Sequence, residues 1–236
     1  MSRFALLVTL SLIVTASPLS AQKSTKESPP TPAPPAAAAP PAETPSSTES
    51  MEDTQLGDHW TYEVRDDISG DIKSTVTNTV TDVSASQIGV RINKLGTSDT
   101  GYQIFDRSWS LISGGVWRYT PNDGSGIRAQ LAVGKTWSFK SNDLNNTAGV
   151  SWKRSGASKV TAQESVTTPA GTFDTFKIET SFQVQNANDP TKKVQATVET
   201  WFAPAINHWV KRSVVSRSDG RVRERSTVEL VEYGRR

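Results

Sequence analysis

From Thr54 onward apolar and polar residues alternate in short runs, and helical spacing is hard to find. Phe176, Ile178, Thr180 and Phe182 fall on one face of an extended segment, with Thr175, Lys177, Glu179 and Ser181 on the other. Val194, Ala196, Val198, Thr200 and Phe202 repeat the pattern, opposed by Gln195, Thr197, Glu199 and Trp201. Successive side chains of a strand point to opposite faces, so this period of two in β-branched and aromatic residues predicts half-buried antiparallel strands. The same reading places strands over Trp60–Arg65, Thr75–Val83, Gln87–Lys94, Tyr102–Asp106, Ser108–Ile112 and Val116–Tyr119. It continues with Thr136–Lys140, Val150–Arg154, Lys159–Val166, Phe173–Gln183, Lys193–Phe202, Trp209–Val215 and Arg221–Glu232. Turn chemistry separates them at Ser69-Gly70, Ser113-Gly114-Gly115, Asn122-Asp123-Gly124, Thr168-Pro169-Ala170-Gly171 and Asp219-Gly220. Pro204 has no ladder donor, so the strand before it should stop near Ala203. The expected fold is all-β, with antiparallel sheets forming a sandwich, a clamshell or a partly open barrel.

An internal echo bears on how that fold is divided. Leu56-Gly57-Asp58-His59-Trp60-Thr61-Tyr62 and Val133-Gly134-Lys135-Thr136-Trp137-Ser138-Phe139 both read apolar-Gly-x-x-Trp-x-aromatic. Two similar halves, 54–130 and 131–236, are therefore expected within a single domain spanning 51–236, with Trp60 and Trp137 in equivalent inward places. Val160, Phe176, Ile178, Phe182, Val194, Val198, Phe202, Val214 and Val228 hold the regular apolar positions and should be mostly buried around a largely filled core.

The first fifty residues have a different texture. Met1–Ala21 carries Arg3, an apolar run from Phe4 to Val14 and Leu19-Ser20-Ala21 before Gln22, the layout of a secretory signal peptide cut after Ala21. Gln22–Ser50 holds eight of the thirteen prolines and no aromatic residue, so it should be a disordered linker or tail. Cleavage leaves that segment as a free tail and no transmembrane segment. Retention would make it a spacer from the membrane. Periplasmic or secreted residence is the expectation.

Cysteine is absent from the 236 residues, which removes disulfides, thiol nucleophiles, cysteine-ligated metals and a cysteine-borne lipid anchor. The net charge of +2 gives no case for nucleic acid. Between Lys211 and Arg236 eight basic residues face four acidic ones, but the signs alternate, as on a solvated strand face.

Candidate chemistry is sparse. His59 and His208 are the two histidines, and neither lies in a nucleophile or metalloprotease motif. His59 reads as a strand-start residue and His208 as a turn residue. Asp143-x-Asn145-x-Thr147 opens like a calcium loop but lacks glycine at its sixth position and meets Arg154 where a glutamate is needed. Asp67-x-Ser69-x-Asp71 fails in the same way, so both read as polar turns. No catalytic residue, cofactor site or metal site is assigned, and no cofactor is expected. The seven tryptophans are natural core fillers for a cysteine-free β-domain. Trp201 alone opposes the apolar face of its strand and is the candidate ligand contact.

P-A-G-T-F at 169–173 followed by W-F-A-P-x-x-x-x-W-V-K at 201–211, with Gly134 and Trp137 upstream, resembles a recurrent class of bacterial exported all-β domain proteins. The resemblance covers about residues 130 to 215 and consists of turns and core aromatics, so it transfers no activity. It implies a turn glycine before the last of these strands, where this chain has Asn207 and His208. Asparagine tolerates the same positive φ. The expected function is a non-catalytic binding or interaction protein of the cell envelope, its partner an envelope component or a protein. The alternatives are a carboxylate-dependent hydrolase such as a glycosidase, or a small carrier of apolar ligands.

Overall fold

The alternating runs become twelve antiparallel strands in a computed structural model that describes residues 51–235. The leader and the proline-rich stretch lie outside the described residues. The strands are β1 (His59–Asp66), β2 (Ile72–Val83), β3 (Gln87–Lys94), β4 (Thr100–Asp106), β5 (Leu111–Gly114) and β6 (Trp117–Thr120). They continue with β7 (Thr136–Asn145), β8 (Val150–Thr168), β9 (Gly171–Asn186), β10 (Lys193–Ala203), β11 (His208–Ser218) and β12 (Arg221–Gly234). Each strand pairs with its neighbours in sequence, and β1 pairs with β12, so the sheet closes into an up-and-down barrel. Closure leaves no sheet edge exposed. A buried ion pair reinforces the seam: Arg235 Nε lies 2.8 Å from the fully buried Asp58 carboxylate.

Partners across an antiparallel ladder share a face, so the register sorts the side chains. Thr200, Arg212, Val228 and Val64 lie in one inward row, and Arg154, Val184 and Val194 in another. Tyr119, Asp143 and Trp152 form a third. Arg65, Arg91, Lys153, Lys159 and Glu179 point outward and are exposed. A lipid-facing wall would be apolar, so this one faces water. Among the described residues no helix is long and apolar enough to cross a membrane.

The two barrel ends differ. One carries six short connections, at 67–71, 95–99, 115–116, 146–149, 187–192 and 219–220. The other carries the fifteen-residue connection 121–135 between β6 and β7. That loop turns inward: Ile127 and Leu131 pack on Val160, Ile178 and Phe202, together with Trp137 and Phe176. Gly124, at φ 74°, lies against the Phe139 ring, where a Cβ would have no room.

Several expectations need correction. Val150–Arg154 and Lys159–Val166 belong to one continuous strand, β8. Gly156 in its middle is no break: an added Cβ would lie 2.5 Å from Phe182 Cβ and 2.6 Å from Phe139 Cζ. Residues 107–110 form a turn in which Trp109 takes φ 63°, so the strand expected over Ser108–Ile112 begins at Leu111. Asp143 lies inside β7 and is buried, not in a turn. Of the nine expected core residues seven are buried, and Phe176 and Phe182, also inward, are half-buried. Asn207 adopts φ 46°, the positive-φ role expected of it.

The internal echo has a matching geometry. Gly57 N donates to Val80 O at 3.0 Å while Val80 N donates to Asp58 O at 2.8 Å. Gly134 N donates to Val160 O at 2.8 Å while Val160 N donates to Lys135 O at 2.9 Å. In both places the glycine has positive φ, and the register of the receiving strand shifts just beyond its valine.

Candidate functional site

The centre of the lumen is charged. Arg154, inward on β8, donates to the buried Asp143 Oδ2 from Nε at 2.9 Å and Nη2 at 2.7 Å. Ser141 Oγ occupies Asp143 Oδ1 at 2.9 Å. The guanidinium also lies 4.8 Å from the Phe182 centroid and 5.5 Å from that of Tyr119. Burial disfavours its charge, but Asp143, joined by Asp123 and Tyr119, more than offsets this and raises the Arg154 pKa. The Asp143 carboxylate is thus fully committed to protein donors.

Arg212 enters from β11. Its Nε donates to Thr200 Oγ1 at 3.2 Å, and its guanidinium stacks on the Trp209 ring at 4.8 Å. Among the described residues no carboxylate forms an ion pair with it. Burial lowers its pKa, opposed by the charge of Asp123 and by Tyr62. An arginine nevertheless keeps its proton in a protein.

Asp123 comes from the inserted loop and lies within electrostatic reach of both arginines. Its Oδ1 accepts from Leu111 N at 2.9 Å, Ser125 N at 3.0 Å and Ser125 Oγ at 2.8 Å. Burial raises its pKa, against the pull of Arg154.

Beneath Arg212 an aromatic floor closes the loop end of the barrel. Trp209 stacks on Tyr62 at 3.8 Å, Trp60 stacks on His208 at 4.3 Å, and Trp109 meets His208 edge-on at 4.6 Å. Tyr62 Oη lies 2.9 Å from Trp209 O and 2.7 Å from His208 Nδ1. The phenolic hydrogen can serve the Trp209 carbonyl or His208 Nδ1, the tautomer of the ring deciding which. Burial, with Arg212 adding to it, pushes the His208 pKa down to about 3. His208 is therefore a neutral core residue, and His59, whose Nδ1 lies 3.2 Å from Gly57 O, is a strand-start residue. Among the described residues no group of three His, Asp or Glu side chains is arranged to hold a metal.

Trp201 lies on the outer wall, half-buried. Lys177 and Lys211 sit 4.9 and 5.8 Å from its ring, and its Nε1 donates to Glu164 Oε1 at 2.6 Å. It is separated by the sheet from Arg212, Arg154 and Asp123. Those residues were missed in the sequence because basic strand residues read as a solvated face and Asp143 as a turn. One signal was available: Arg212 shares its alternation with Val210, Val214 and Ser216, all buried.

Residues 140–213 match the model of the DUF3108-like family. That stretch runs from β7 into β11 and carries Asp143, Arg154, Thr200 and Arg212, but not Tyr62 or Asp123. No curated protein matches the chain. Among solved structures, a candidate lipoprotein from Parabacteroides distasonis aligns over 80% of this chain and 100% of its own, at 13% identity and TM-score 0.49. A candidate exported protein with a YmcC-like fold from Bacteroides fragilis aligns over 77% and 97%, at 13% identity and TM-score 0.39. The hypothetical lipoprotein YmcC from Escherichia coli aligns over 75% and 85%, at 10% identity and TM-score 0.45.

Proposed function

We propose that the protein is an exported, non-catalytic binding protein of the cell envelope whose ligand enters the barrel lumen from the end with the short turns. The observation that carries this reading is the set of inward-facing side chains that keep partial exposure inside a closed wall. Val76, Ile92, Trp117, Phe182, Arg154 and Arg212 are all of this kind. The wall is lowest at β5 and β6, four residues each between much longer strands, which offers an entry. Export rests on the leader Met1–Ala21, and mature protein beginning at Gln22 is the expected result of N-terminal sequencing.

The hydrolase alternative needs a pair of working carboxylates. Asp143 has both oxygens engaged by Arg154 and Ser141, so it does not supply a partner for Asp123, whose bonds all fall on Oδ1. The test of the lumen reading is titration of the purified protein with 1-N-phenylnaphthylamine, a neutral apolar dye. Saturable fluorescence enhancement at one site per chain is expected, and its absence over the accessible range would overturn the reading.

A further inference from the structure

We infer that the lumen takes a single-chain amphiphile with a carboxylate head, held by the Arg212 guanidinium at the foot of the apolar wall. This rests on the lumen reading above and adds the ligand's chemistry and orientation.

Arg212 is the deep inward cation without an ion pair among the described residues, in contrast to Arg154, whose Nε and Nη2 are spent on Asp143, and to Lys94, which faces inward only at the rim. Its Nε is taken by Thr200 and one face of its plane by Trp209, which fixes the guanidinium at an inward position and leaves the fork of terminal nitrogens. A planar fork of this kind fits a carboxylate bidentately. Above it, toward the short turns, β10 and β9 present Val198, Ala196, Val194, Phe182 and Val184, while β11 and β12 present Ser216 and Ser226 beside Val214. Ser218, the end of β11, is six residues beyond Arg212, which at roughly 3.3 Å per residue leaves about 20 Å of wall, apolar on its β9–β10 side. Below Arg212 the floor of Trp209, Tyr62 and His208 is closed. A head group at Arg212 therefore has one direction in which to send its tail.

Charge is compatible with this orientation. Asp123 lies within electrostatic reach of both arginines, and burial favours its neutral form. A neutral Asp123 competes less for the Arg212 guanidinium than an ionised carboxylate does. Near the short turns Glu224, Asp66 and Lys94 face inward, and Lys73 pairs with Asp66 at 2.8 Å, so acids and bases are mixed at the mouth while Arg212 lies deep.

The test compares dodecanoate, dodecanol and dodecylammonium as displacers of the neutral dye from the full purified protein. Dodecanoate should compete at least about tenfold more strongly than dodecanol, the increment of a hydrogen bond to a charged group, and dodecylammonium least of all. Arg212→Gln should bring dodecanoate and dodecanol together, and Arg212→Lys should restore part of the preference. A cooperative thermal transition in each variant ensures that the ratio is read on folded protein. Equal competition by dodecanoate and dodecanol on the wild type, or an undiminished preference in Arg212→Gln, would overturn the head-group assignment while dye binding stands. Failure of the wild type to bind the dye at all would bring down the lumen reading and this inference with it.

Discussion

Acidification should weaken the fold through His208. The imidazole is buried between Trp60 and Trp109, bonded to Tyr62 and close to Arg212, so its pKa falls from 6.5 to about 3. Between those values the unfolded chain binds a proton that the folded chain refuses, and stability must fall as pH falls below 6.5. At 1.36 kcal/mol per pKa unit, the loss attributable to this residue is about 2 kcal/mol at pH 5. Other groups titrate in the same range. Asp123, raised by burial, acts in the opposite sense, since its contribution is present at low pH and lost as pH rises through its folded pKa. A comparison with His208→Gln removes such common contributions. Urea denaturation followed by tryptophan fluorescence at pH 7 and pH 5 measures both proteins. The substitution will cost stability at pH 7 by disrupting the stack, but that penalty should shrink by about 2 kcal/mol at pH 5. A penalty that is the same at both pH values would show that the imidazole is not held neutral by burial, and the closed floor would be misread.

Three further substitutions probe the wall. Gly156→Ala forces a methyl between Phe182 and Phe139 and should cost about 1–3 kcal/mol by overpacking, read as a lowered melting temperature. Asp143→Asn strands the Arg154 charge and should cost about 3–5 kcal/mol, whereas the double substitution Asp143→Leu/Arg154→Met should recover most of that loss in a denaturation series. Trp201→Ala removes a half-buried indole braced by two lysines on the outer wall and should cost about 1–2 kcal/mol, leaving the ratio of dodecanoate to dodecanol competition unchanged.

Alternation made the strands legible because each inward residue has a neighbour two positions away in the same environment. Gln87–Lys94 is read to its ends for this reason. The echo of Gly57 and Gly134 was legible too, since a glycine at positive φ before an aromatic pair marks the same strand entry twice. Closure was not. Whether β1 meets β12 depends on shear and tilt summed over the whole wall, and no local pattern encodes it. Nor was the path of residues 121–135, whose Asn-Asp-Gly signal is the same for an exposed turn and for one folded into a lumen. The site was hidden by that same ambiguity. Arg212 and Asp143 are polar in a β-protein, and polarity alone places such residues outside.

Their inward placement is costly, and the cost bears on what the lumen is for. A buried ion pair such as Arg154–Asp143 often stabilises a fold no better than leucine and methionine would in its place, and among the described residues Arg212 has no paired acid. The indole N–H groups of Trp60, Trp109 and Trp137 add three buried donors without an acceptor. An eight-stranded barrel encloses an interior that side chains can just fill, and twelve strands enclose more. The chain meets part of that excess by sending Ile127 and Leu131 inside, where they complete an apolar cluster with Val160, Ile178 and Phe202. Beside that cluster it places two cations and two acids rather than more aliphatic side chains. Selection for stability alone would have filled that level with leucine. Groups that cost stability on an inward face call for a reason other than stability, and for Arg212 the acid with an apolar tail inferred above would supply it.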